Sequence, residues 1–519
     1  MVEYKFDTYN KKRGIERLRH KISNKLLTPD VNLSIILVMS ILGVIIVTTT
    51  EENQLIISLP DSFAAVSDRN ITTTTTFDSL QTSKLQSSIV NSSSLGESNS
   101  ISPISYSSNS KAKMPQIRDS TLTVEVVVDG LNMPTTMAFL GKDDFLILQK
   151  NGSLVRVVDG ILSDKTRLDV PVAKGFYQGL LGIAVTNQSI STKNGTYVFL
   201  YYTEVANNNN IIDRPEKSTS DGNSSTHILG NMVYRYEFVD NKLINPKLLL
   251  KLPANSIENH GGYITIGPDN NLYIVIGEVV SEFDETAIQT LTQNYVNSTI
   301  VDGRAGILRT TPGGNPVLDD KGHGIIGDTF PLNLYYAYGI HNGFGMDFDP
   351  ITGALWNTEP GHWINDEINT VRPGFNSGYG IVQGLSKYTP AAPFALVNFN
   401  GRGIYNEPEF VWTQKVVPTG LKFLTSEKLG TQYHNDIFVG AFLDGKLYHF
   451  DLNKNRTHLS LPSELSSKVL QNWNSTGFED IVFGTGFGGI SSMNIGPDGF
   501  LYVVSVEHGK VYRIMPTNN

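Results

Sequence analysis

The chain has 519 residues, with 47 glycines, 23 prolines, no cysteine and only 18% charged side chains. Without cysteine there are no disulfides and no Cys-type zinc, haem or iron–sulfur sites. Residues 1–30 hold eight Lys/Arg against four Asp/Glu, and the remainder is strongly acidic, which argues against nucleic acid as a partner because phosphate contacts need a basic surface.

The first predicted element is the basic segment 1–30. It precedes a run over 31–50 without a charged side chain, nearly all Ile, Leu, Val and Met in its middle. About 20 apolar residues span the hydrocarbon core of a bilayer. The run is therefore expected to be a single transmembrane signal-anchor helix, with residues 1–30 cytoplasmic and everything after it outside the cell. No small-x-small cleavage site follows it.

Residues 51–118 are rich in Ser, Thr and Asn. Such a composition cannot bury enough apolar area to offset chain entropy, so a disordered stalk is expected there. Nine Asn-x-Ser/Thr triplets follow the apolar run: Asn70, Asn91, Asn151, Asn187, Asn194, Asn223, Asn297, Asn455 and Asn474. They agree with an exported, glycosylated surface.

From 119 to 519 one unit recurs. TMAFLGKDDFLILQKNGSLVRVV at 136–158, YITIGPDNNLYIVIGE at 263–278 and SMNIGPDGFLYVVSVEHGKVYRI at 492–514 each pair an alternating strand, a turn and a second strand. Looser copies lie at 179–238, 344–359 and 421–452. A lone meander leaves both faces uncovered, and a ring of such sheets buries them. The expected fold is therefore an all-β, six-bladed β-propeller. The GLLG word at 179–182 is expected to mark close packing of blades, since no helix pattern follows it.

Several words lie at strand ends in a fixed order: GLLGIA at 179–184, NHGGY at 259–263, YGIHNGFGMDFD at 338–349, LWNTEPG at 355–361, DEIN at 366–369, PGFNSGYG at 373–380 and IGPDGFLYVV at 495–504. Together they resemble the glucose/sorbosone dehydrogenase family, propellers similar to soluble quinoprotein aldose dehydrogenases. The resemblance implies pyrroloquinoline quinone (PQQ) and calcium at the mouth of the central channel, a sugar substrate and an external electron acceptor. It implies His260 and His341 as the catalytic residues, and Gln178, Asn259, Tyr263 and Asn342 beside the cofactor. Gly361, Asp366 and Glu367 would lie at the metal.

The chain departs from the family pattern in several places. Asn259 stands at the family's base position, with His260 one residue late; Tyr263 and His341 stand where arginines are usual; Gly488-Gly489-Ile490-Ser491 lacks the family's arginines. His and Arg differ in reach, donor count and constancy of charge. A non-catalytic propeller binding carbohydrate or protein, with a degenerate cofactor site, is therefore the alternative; a calcium-dependent lactonase is a third reading. His260, His341 and His362, with Glu359 near, could also meet on channel loops as a zinc or copper site. The acidic run from Glu278 to Glu285 is expected to be a solvated loop.

Overall fold

The Gly-Pro-Asp words build the same turn twice. In one, Gly496 N–H donates to Phe500 O at 2.9 Å, and Asp498 accepts the Phe500 N–H at 3.1 Å and the Tyr502 hydroxyl at 2.8 Å. In the other, Gly267 N–H donates to Asn271 O at 2.9 Å, and Asp269 accepts the Asn271 N–H and the Tyr273 hydroxyl, both at 3.1 Å. Each Asp also pairs with an arginine from the third strand, Arg513 at 2.9 Å and Arg309 at 2.8 Å. Pro and Asp suit these positions because one presets φ and the other bonds backbone N–H groups ahead of it.

The computed structural model describes residues 35–40, 43–49, 55–58 and 113–517, apart from 164–165, 187–195, 207–226, 281–287 and 389–391. Two units result, 1–105 and 106–519. In the first, Ile35–Ser40, Gly43–Thr49 and Leu55–Ser58 pair as antiparallel strands. The described part of 31–50 is thus strand where a membrane helix was expected. Its Ile and Val content is as compatible with strand as with an apolar helix. No helix among the described residues is long and apolar enough to cross a membrane. Most of the expected stalk lies outside the described residues.

Among its described residues the second unit is an all-β propeller with almost no helix, and its strands form six sheets. The first sheet holds Pro134–Gly141, Asp144–Gln149 and Ser153–Val158; the second holds Leu180–Val185, Thr196–Val205, Ile228–Val239 and Lys242–Leu252. The third holds Ile264–Ile266, Leu272–Ile276, Gly306–Thr310 and Tyr335–Tyr338; the fourth holds Gly345–Phe348, Leu355–Glu359, Asp366–Val371 and Phe410–Trp412. The fifth holds Pro418–Phe423, Ile437–Ala441, Leu447–Leu452 and Val482–Thr485; the sixth holds Ile490–Ile495, Leu501–Ser505 and Lys510–Pro516.

Neighbouring sheets touch through their first strands. Thr135 Oγ1 donates to Leu180 O at 2.8 Å, Thr419 Oγ1 donates to Ile490 O at 2.5 Å, and the Thr136 and Ser492 hydroxyls meet at 3.0 Å. At Gly182, an added Cβ would stand 2.0 Å from Gly262 O. The GLLG word is therefore a close-packing device between the second and third sheets. The second strands are buried almost throughout, as in Leu272–Ile276, Ile437–Ala441 and Leu501–Ser505.

The ring is joined non-locally. Leu122–Val128 pairs antiparallel with Lys510–Pro516, and Gln116–Ile117 pairs with Val482–Thr485. Within the second unit strand thus begins at Gln116, and both Gln116–Ile117 and Leu55–Ser58 are strand inside the stretch 51–118 where a disordered stalk was expected.

Candidate active site

Antiparallel order fixes what can meet. In every sheet the start of the first strand and the turn between the second and third strands lie at the same end. That end therefore collects Lys150, 174–179, 256–263, 277–280, 339–343, 359–365 and Phe442.

His341 is the hub of this end, with a side chain only 4% exposed. Its Nδ1 lies 2.7 Å from Pro360 O, which fixes Nδ1–H as the donor and turns Nε2 inward. Nε2 stands 3.2 Å from Glu278 Oε1 and 3.3 Å from Asn259 Nδ2. The backbone is tied too, since Glu278 N–H donates to His341 O at 2.8 Å. The Tyr379 ring lies 4.7 Å from the imidazole, and the His362 ring 5.4 Å from it. Burial opposes a charge on His341, but Glu278, Pro360 O and Glu359 outweigh it and hold the imidazole above its usual value.

Beside His341 is a cavity of about 10 Å³, lined by Glu359, Glu367, Gly361, Asn365, Ser377 and Gln383, among others. Glu359 accepts the His341 N–H at 2.6 Å and the Ser377 hydroxyl at 2.7 Å. Burial still pushes its carboxyl up to about 7. Glu367 accepts the Gly384 N–H at 2.6 Å and the Asn369 amide at 3.2 Å. Burial first, and the charge of Glu359 second, raise it well above the ordinary carboxylate range. Two facing carboxylates in a space for one small guest are a hard, oxygen-rich donor set.

Asp366 turns elsewhere. It accepts the N–H groups of Gly361, Val416 and Val417 at 2.8, 2.6 and 2.7 Å, clamping two loops together. Burial nevertheless raises its pKa.

Asn259 and His260 face different partners, because Asn259 has a left-handed φ of 57°. Asn259 Nδ2 donates to Glu278 at 3.0 Å, and its Oδ1 accepts from Asn342 Nδ2 at 3.2 Å. Asn342 also accepts the Gly261 N–H at 3.0 Å, so it positions that loop. His260 is fully buried, with Nδ1 2.9 Å from Asn231 Oδ1 and Nε2 2.8 Å from Ser256 O. Burial lowers its pKa to about 4. Both ring nitrogens are engaged away from the cavity. Gln178 belongs to the same group, donating to Ser256 O at 3.1 Å.

Tyr263 lies farther along the first strands. Lys422 sits over its ring at 5.8 Å and 3.4 Å from Asp347. Burial disfavours the ammonium, but Asp347 and Tyr263 hold its pKa above the usual value.

The sequence reading therefore reached His341, Asn259, Asn342, Gly361 and Glu367, which the structure brings together, and it underrated Glu278. Glu278 is 4% exposed rather than solvated, while Glu282, Asp284 and Glu285 of the same run lie outside the described residues. Its signal was the Gly277-Glu278 pair at the end of a strand. Lys150 was missed. Its Nζ donates to Gly175 O at 2.5 Å and lies over the Phe176 ring at 5.9 Å. Among the described residues no carboxylate pairs with it, and burial lowers its pKa to about 8. Phe176 in turn reaches Phe442 of the fifth sheet, ring centroids 6.3 Å apart.

Residues 131–513 match the family model described as Glucose / Sorbosone dehydrogenase. Among curated proteins, the chain is 23% identical over 406 residues to the aldose sugar dehydrogenase YliI of Escherichia coli K12, covering 77% of this chain and 94% of that one. It is 26% identical over 312 residues to quinoprotein glucose dehydrogenase B of Acinetobacter calcoaceticus, covering 57% and 59%. Among solved structures, the PQQ-bound aldose sugar dehydrogenase of Streptomyces coelicolor aligns with a TM-score of 0.52 and 21% identity, covering 77% and 99%.

Proposed function

The chain belongs to the glucose/sorbosone dehydrogenase family, and from that premise we propose that it oxidises an aldose at the anomeric hydroxyl, using PQQ and calcium and an external electron acceptor. Each of the six sheets is taken as one blade of the ring. The observation that carries the reading is the convergence of His341, Glu278, Asn259 and Glu359 at one end of the channel.

The donor chemistry fits calcium. Glu359 and Glu367 repel each other in a small buried cavity, and a divalent ion would relieve that repulsion. For the acidic quinone, Lys150 is a half-buried ammonium without a carboxylate partner among the described residues. His341 and Lys150 would be the cationic contacts, in place of arginines. When bound, PQQ accepts the two electrons of the oxidation and calcium polarises it.

The chain's own residues have separable tasks. Without calcium, burial holds the Glu359 carboxyl at a pKa of about 7, and a bound ion would draw it into its ionised, ligating form. Glu278 and Asn259 orient the imidazole of His341. Phe176 and Phe442 narrow access from solvent.

One observation favours a second reading, a propeller that binds sugar or protein without catalysis. Ser491 stands in the family's arginine-bearing word, and its hydroxyl is spent on Pro134 O at 2.9 Å. To separate the two, the purified full chain would be titrated with PQQ in excess calcium, followed by an aldose panel with a dye acceptor. Stoichiometric binding and sugar-dependent dye reduction support the dehydrogenase. Absence of PQQ binding at tens of micromolar, with sugar binding intact, would establish the second reading.

The charge-free run after a basic segment supports attachment to the membrane with the propeller outside the cell. Exposed Asn151, Asn297, Asn455 and Asn474 are compatible with glycosylation there. Protease treatment of intact cells tests this: a propeller that stays protected while a known surface protein is cut would rule it out.

A further inference from the structure

Glu278, His341 and His362 come from three separate stretches of chain, yet one ligand atom of each lies within 4.8 Å of the other two. His341 Nδ1–H is committed to Pro360 O, so Nε2 is the ring nitrogen turned to Glu278 Oε1, 3.2 Å away. A proton bridges that pair in the metal-free protein, and a shared metal cation would take its place. A histidine whose far nitrogen donates to a backbone carbonyl is the usual arrangement of a metal-bound imidazole.

The rest of the shell is also built. Asn259 Nδ2 donates to Glu278 Oε1 at 3.0 Å, holding the carboxylate in place. The His341 and Glu278 backbones are bonded to each other, and Glu359 anchors the His341 N–H. The pair already has the spacing of two ligands on one zinc, about 3.3 Å for bonds of about 2.0–2.1 Å. His362 is half-buried on the loop 360–365, and one of its ring nitrogens lies within 4.8 Å of both other ligand atoms.

We propose that Glu278, His341 and His362 form a binding site for a divalent first-row transition metal such as zinc. Two imidazoles and a carboxylate suit such a metal, whereas calcium prefers the oxygen set around Glu359 and Glu367. Three protein ligands leave one position open to water or substrate. His260 is not part of the site, because both of its ring nitrogens are bonded elsewhere. The site shares His341 and Glu278 with the proposed quinone contact, the metal standing where a proton would otherwise sit, and its test needs neither PQQ nor sugar.

The test uses the purified full chain, stripped with a chelator and supplied with neither PQQ nor sugar. Zinc is titrated against a chromophoric competitor, and cobalt(II) is added separately to read coordination from its visible absorption. One equivalent of zinc and an intense four- or five-coordinate cobalt spectrum are expected. His362→Ala and Glu278→Gln should each weaken zinc at least tenfold, while Glu367→Gln should not. Circular dichroism verifies that each variant is folded. Binding weaker than 100 µM, or zinc affinity unchanged in folded His362→Ala, overturns the proposal. A six-coordinate cobalt spectrum insensitive to His362→Ala does so too.

Discussion

Glu359 reaches back along the chain to accept the backbone N–H of His341 at 2.6 Å. The carboxylate that lines the cavity therefore also sets the loop carrying the hub imidazole.

That carboxylate makes stability depend on pH. Its folded pKa of about 7 lies above the ordinary 4.5, so the folded protein keeps a proton that the unfolded chain has released. The contribution is complete below about pH 4.5 and is lost as pH rises through 7. In calcium-free protein, the stability advantage of wild type over Glu359→Gln should fall by up to about 3 kcal/mol between pH 4.5 and 8. Urea denaturation at several pH values measures it, and a pH-independent difference would contradict the assignment.

Calcium should act most strongly where the carboxylates are ionised. We expect it to raise Tm more at pH 8 than at pH 5, and a chelator to reverse the rise. In Glu367→Gln the shift should shrink by more than half, because one of the two facing carboxylates has become an amide.

His260 has the opposite sign. Its folded pKa of about 4 lies below the usual 6.5, so the unfolded chain takes up protons first as pH falls. Its contribution is complete above about pH 6.5 and declines toward pH 4, by up to about 3 kcal/mol. Subtracting the denaturation curves of His260→Gln from those of wild type should isolate this slope.

Lys150 is held uncomfortably as an ammonium, by burial and without a carboxylate among the described residues. Lys150→Met should leave the Tm of the ligand-free protein unchanged or raised. It should weaken PQQ at least tenfold in an absorbance titration, since a charge-assisted contact contributes about 1.5–3 kcal/mol.

Gly182→Ala tests the ring itself. The added methyl would meet Gly262 O at 2.0 Å, backbone against side chain with no flexible atom to yield. A loss of about 1–3 kcal/mol is expected in chemical denaturation, with no change at the channel mouth.

Local chemistry was the legible part of this sequence. The two Gly-Pro-Asp turns, with the Asp–Tyr pairs that follow four residues later, could be read directly because those partners are close in the chain, whereas the paired Arg513 and Arg309 come from the third strands. Glu367 and Asn342 were reachable through their words. The role of Glu278 depends on His341 and Asn259, and that of Lys150 on Gly175, contacts set by ring geometry. His260 shows the limit from the other side: next to the left-handed Asn259, which meets Glu278 and Asn342, its ring is turned to Asn231 and Ser256. The apolar run at 31–50 could be strand or helix by composition, and periodicity does not separate them.

The pairing of Leu122–Val128 with Lys510–Pro516 joins segments far apart in the chain, 388 residues in the case of Arg513 and Glu125. During synthesis the first of these segments must wait, its partner still untranslated, until all the intervening sheets have left the ribosome. The ring can therefore be completed only late, and premature release of a shortened chain would leave an unpaired sheet edge open to aggregation or to quality-control proteases.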